Sequence, residues 1–130
     1  MLGSHSHTLQ HIEYDPLKGT LVAYSLGDFF GDGVDGGTNY SIILDVEITK
    51  DPVAGTTKVT GYSYTPIYTL AENQCDGNRR VVRIENAMSA YELNFIDKVT
   101  DSCYENMQFA MDRIISRVNA GKKTEETKKS

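Results

Sequence analysis

Tyr40 to Lys50 reads YSIILDVEITK, and this stretch decides the fold. Ile42, Leu44, Val46 and Ile48 alternate with Ser41, Asp45, Glu47 and Thr49, so apolar side chains share one face of an extended strand. The next five residues, Asp51-Pro52-Val53-Ala54-Gly55, form a short polar connection. Thr56 to Tyr64 is therefore expected to return antiparallel as the second arm of a hairpin. Pro66 lacks the N–H that a ladder needs, which places it at a sheet edge or strand end.

Outward from the hairpin, Leu9–Tyr14, Thr20–Leu26 and Arg80–Ile84 are further short strand candidates, and Glu85–Leu93 is a short helix candidate. Thr100–Ala120 reads as one long helix. Tyr104, Met107, Met111, Ile114 and Val118 form its apolar stripe, Ile115 widens it, and Asp112, Arg113 and Arg117 mark the wet side. Thr100 or Asp101 can cap its start, and Gly121 stands where a helix usually stops. That stripe fits this protein's own sheet or a partner helix. Strands with one late helix give an α+β class: an antiparallel or mixed sheet with a C-terminal helix on one face. No internal repeat of elements is evident.

The chain has 130 residues, enough for one domain with a real core. Residues 1–120 form that domain, and 121–130, GKKTEETKKS, read as a charged disordered tail without an apolar residue. Residues 1–121 carry 9 basic and 16 acidic side chains, a balance that argues against nucleic acid as partner. Apolar runs are too short for a membrane span, and residues 1–12 hold no apolar signal core. Cys75 and Cys103 suit either a disulfide or two thiols.

Three segments carry residues capable of chemistry. His5 and His7 lie two apart, so in an extended segment both imidazoles reach the same side and can ligate zinc, manganese or iron. A Gly-Ser-His string is also what a cloning scar leaves. Ala23-Tyr24-Ser25-Leu26-Gly27-Asp28 runs an apolar strand into a glycine and an acid, a way to set a polar group beside a site or simply to enter a turn. Gly31–Gly37, with Asp32 and Asp35, has neither the order of an EF-hand loop nor that of a P-loop. Arg79, Arg80 and Arg83 form the body's one basic cluster, suited to an anion or to a solvated strand face. No Gly-x-Ser-x-Gly elbow is present.

Gly3-Ser4-His5-Ser6-His7-Thr8-Leu9-Gln10-His11-Ile12-Glu13, followed by Tyr24-Ser25-Leu26-Gly27-Asp28-Phe29, resembles the C-terminal part of CapA-type proteins. These are bacterial capsule or poly-γ-glutamate synthesis proteins related to the calcineurin-like metallophosphoesterases. Their pattern runs G-x-H-x-H-x-L-Q-P-I-E and then Y-S-L-G-N-F; here His11 replaces the proline and Asp28 the asparagine. The resemblance is close over residues 2–30 and looser through the hairpin, Tyr64–Ile67 and the last helix.

The resemblance implies a layered metallophosphoesterase-like sandwich of which this chain is part. It makes His5 and His7 ligands of a divalent metal pair (manganese, iron or zinc), with Asp28 and Gln10 toward the substrate. It implies an anionic envelope polymer or phosphoester as partner, and a cell-envelope or extracellular place. The family's Asp-x-His, Gly-Asp and Asn-His ligand segments are not in this sequence, so the chain reads as a C-terminal portion, inactive by itself. The alternative expectation is a non-enzymatic α+β interaction module that assembles, as a homodimer for example, through an exposed sheet face.

Overall fold

The computed structural model describes residues 1–3, 6–30, 39–70, 79–93 and 101–120. The tail, Gly31–Gly37, Thr100, Cys75 and His5 lie outside the described residues. In chain order come β1 (Ile12–Asp15), β2 (Thr20–Ala23), β3 (Tyr40–Asp51), β4 (Thr56–Leu70), β5 (Arg80–Arg83), α1 (Ile84–Glu92) and α2 (Asp101–Val118). β1 and β2 form one antiparallel sheet and β3-β4-β5 another, so the α+β class holds and α2 packs against the sheet.

The small β1–β2 hairpin and the long β3–β4 hairpin share a connector that the reading of the sequence as free of repeats overlooks: Asp15-Pro16-Leu17-Lys18-Gly19-Thr20 and Asp51-Pro52-Val53-Ala54-Gly55-Thr56. In each, the aspartate carboxylate accepts from the next two available backbone N–H groups, of Leu17 and Lys18 at 3.0 and 3.1 Å or of Val53 and Ala54 at 2.9 and 3.2 Å. Proline presets the turn and needs no donor. The glycine closes it, donating to the aspartate carbonyl at 2.8 Å in both, from φ values of 67° and 70°.

β4 runs six residues past the expected end at Tyr64, reaching Leu70, and so takes Pro66 into its interior. The physical exception is local. Thr69 donates toward the β3 side, to Asn39, so by alternation the Pro66 nitrogen faces the β5 side, and β5 pairing stops at Ile67. The missing donor therefore falls where no ladder exists. A bulge sits lower down: Glu47 opposes Gly61 and Ile48 opposes Val59, leaving Thr60 as the extra residue, its Oγ1 3.1 Å from Glu47 Oε1.

The expected inner face of β3 is buried in a gradient. Ile42 is 4% exposed and Ile48 62%, because the distal hairpin projects past the rest of the molecule. Its middle is covered by the small hairpin: Tyr14 meets Tyr62 edge-on at 5.5 Å, and Val59 donates to the Gly19 carbonyl at 2.8 Å. At its base, Tyr40, Ile42, Tyr68 and Leu70 join Leu9, Ile12, Leu21 and Ala23 in one core with α2.

The α2 stripe is rotated from the expected one. Cys103, Met107, Ala110, Ile114 and Val118 are buried, Tyr104 and Met111 flank them half-buried, and Ile115 faces solvent. Two of the buried positions, Cys103 and Ala110, carry small side chains. Tyr91 of α1 and Tyr104 of α2 stack at 4.5 Å, and their hydroxyls donate to Asp101 and Glu92, so each helix holds the other's acid. Among the described residues no helix is long and apolar enough to cross a membrane.

Candidate functional site

The two conspicuous sequence segments meet in space. The first threads both sides of the second: Gly3 donates to Ala23 and accepts from Leu26, while Gln10 donates to Ser25 and Tyr24 donates to His11. Residues 25–26 are thus clasped between two stretches of the same segment. A Cβ on Gly3 would lie 2.4 Å from the Tyr24 carbonyl oxygen, so only glycine allows this approach. Ser25 is fully buried, and its Oγ accepts from the Gly27 N–H at 3.2 Å.

That hydrogen bond supports a sharp turn. Gly27 takes φ 79°, and the chain then brings Asp28 against His7, itself at φ 60°. His7 Nδ1 and Asp28 Oδ1 are 2.8 Å apart. With His7 70% and Asp28 33% exposed, the pair adds little to stability, and its meaning is chemical. A carboxylate at Nδ1 holds the imidazole as the Nδ1–H tautomer and turns the Nε2 lone pair outward, ready for a metal or a proton.

The other expected site residues among the described ones do not converge there. Gln10 lines a shallow depression with His11, Arg117 and Ala120. Arg80 and Arg83 are exposed on β5, and Arg79 stands over the Phe30 ring at 5.8 Å. His11, which stands where the family pattern has proline, stacks on Tyr24 at 4.4 Å and contacts Glu13 Oε1 at 3.2 Å. The Tyr24 hydroxyl donates to Glu13 Oε2 at 3.0 Å, and this bond, then the carboxylate's charge and partial burial, raises the phenol above its ordinary value. Sequence reading missed this cluster. Its signal was the two-residue spacing of His11 and Glu13 at the start of β1, beside β2.

Among the described residues no group of three or more His, Cys, Asp or Glu side chains converges as a metal cage. His7 and Asp28 supply one outward nitrogen and one carboxylate already engaged, too few donors for a metal pair. Among the described residues, the donors therefore do not make a dinuclear centre by themselves.

A second concavity lies next door. Thr8, Asn39, Tyr40, Tyr68, Asn106 and Arg113, with neighbouring α2 residues, line a cleft of about 390 Å³ between α2 and the base of the long hairpin. Sequence reading assigned Arg113 and Arg117 only to the wet side of the helix.

No protein-family model matches the chain, and no curated protein or solved structure matches it either.

Proposed function

We propose that this chain is the C-terminal portion of a CapA-type, metallophosphoesterase-related protein of bacterial cell-envelope polymer synthesis. The observation that carries the reading is the His7–Asp28 contact, which joins the two motifs of the resemblance across 21 residues of sequence. In this reading His7 and His5 present imidazoles to one edge of a divalent metal site, Asp28 positions His7, and donors from outside these 130 residues complete the metal pair. The substrate is a phosphoester or anionic envelope polymer, and the isolated chain turns over neither.

The test is Mn²⁺ titration of the purified chain followed by paramagnetic line broadening. Broadening centred on His5, His7 and Asp28, lost in the double variant His5→Ala/His7→Ala, is expected, together with no phosphatase turnover. Broadening spread evenly over the acidic surface, or unchanged in the variant, overturns the metal assignment. Turnover at ordinary enzyme rates overturns the claim that the chain alone is inactive.

A second reading, an assembly module, draws on the projecting hairpin, where Ile48 is 62% and Val53 96% exposed. Light scattering distinguishes it: a concentration-dependent dimer that Ile48→Lys dissolves supports it, and a 14.5 kDa monomer at high concentration removes it.

A further inference from the structure

The cleft beside α2 has a composition at odds with the chain around it. The protein carries 18 acidic and 13 basic side chains, yet among the described residues no carboxylate lines this concavity. Two guanidinium groups do: Arg113 and Arg117, one helical turn apart on the same face. Neither has a carboxylate within salt-bridge distance among the described residues. The remaining polar lining, Asn39, Asn106, Thr8 and Tyr68, offers amide and hydroxyl groups.

The lining is also organised. Tyr68 is 2% exposed, and its hydroxyl accepts from the Asn39 amide at 3.1 Å, which fixes that amide at the cleft wall. Arg117 is anchored by a 3.1 Å bond from Nη1 to the Leu9 carbonyl, leaving the rest of its planar fork for another acceptor. Arg113 lies over the Phe109 ring, its Cζ 5.0 Å from the centroid, a cation–π contact that holds the guanidinium at the rim. Phe109 is itself 58% exposed and adds apolar surface to the same lining.

We propose that this cleft binds a small molecule bearing an oxyanion, carboxylate or phosphate, joined to a flat apolar group. The oxyanion bridges Arg113 and Arg117 with an asparagine amide, and the apolar part lies on Phe109. The volume of about 390 Å³ falls at the small end of ligand sites. The inference does not rest on the metal reading, since neither His7 nor Asp28 lines the cleft.

The experiment is a two-dimensional amide NMR titration of the whole chain with phenyl phosphate, benzoate and inorganic phosphate, at constant ionic strength. Saturable shifts are expected at Thr8, Asn39, Asn106, Arg113 and Arg117, with phenyl phosphate or benzoate binding at least tenfold more tightly than inorganic phosphate. Which of the two aryl anions wins identifies the oxyanion. Arg113 is exposed, so Arg113→Gln should fold normally, and it should weaken binding at least tenfold while Lys50→Gln leaves it unchanged. His7→Ala should leave the titration intact, which separates this site from the metal reading. Shifts scattered over every surface cation, or an Arg113→Gln affinity equal to the parent's, overturn the proposal.

Discussion

Gly19 sits so close to Lys58 that a Cβ on the glycine would fall 2.4 Å from the lysine Cβ. The equivalent glycine of the other connector, Gly55, has the same left-handed backbone but nothing within 4 Å of that position. The two connectors therefore separate backbone strain from steric contact. Gly55→Ala should cost about 1 kcal/mol, the left-handed penalty alone. Gly19→Ala should cost about 2–4 kcal/mol, because the small hairpin must also lift from β4. Urea unfolding of both variants reads the difference, and equal costs would show that the hairpins do not meet at Lys58.

The His7–Asp28 contact makes a prediction independent of any metal. Neutral His7 should be the Nδ1–H tautomer, and Asp28→Ala should release it toward the Nε2–H form usual for unrestrained imidazole. Long-range nitrogen–proton correlation spectra at pH 8 distinguish the two. An Nε2–H tautomer in the parent protein would remove the orienting role of Asp28.

Tyr24 should titrate above 10, its ordinary value, chiefly because its hydroxyl donates to Glu13. A phenol whose value is raised by folding stabilises the fold fully below the unfolded value, and that contribution disappears as pH rises through the raised one. Glu13→Gln removes the charge and should bring Tyr24 back toward 10, measured by tyrosinate absorbance against a Tyr24→Phe blank. No movement in that variant would place the cause elsewhere.

Adjacent isoleucines on α2 should behave oppositely. Ile114 has no exposed surface, and its change to alanine should cost about 2–5 kcal/mol through lost burial and a cavity. Ile115 is 43% exposed, and the same change there should cost less than about 1 kcal/mol. Thermal melts of the pair check the helix orientation, and a reversed order would mean that the stripe is the one centred on Met111.

Most of the fold was legible because its elements carry strong periods. β3, the two helices and the short strands fall within a few residues of where alternation and 3.6-residue spacing put them. The β4 terminus was not legible, because the rule that keeps proline out of sheets depends on which side its nitrogen faces. The α2 stripe was set slightly off because it was read from the large apolar side chains, which leaves out the small buried residues Cys103 and Ala110.

The site was legible only in part. His7 and Asp28 were each singled out, but their contact depends on Ser25–Leu26 being clasped by the first segment, a long-range pairing no local pattern encodes. The arginine cleft was invisible for the same reason. Arg117 reaches Leu9 across 108 residues, so a wet helix face and a binding wall look identical in sequence.

Cys103, sealed in the first turn of α2, gives the chain a clock. A thiol reagent cannot touch a sulfur with no exposed surface, so labelling waits for an opening that lifts the helix. In a Cys75→Ser background, the labelling rate relative to that of the unfolded chain counts how often α2 leaves the sheet. A ligand that bridges Arg113 and Arg117 while resting against the hairpin base would slow that clock without coming near the sulfur.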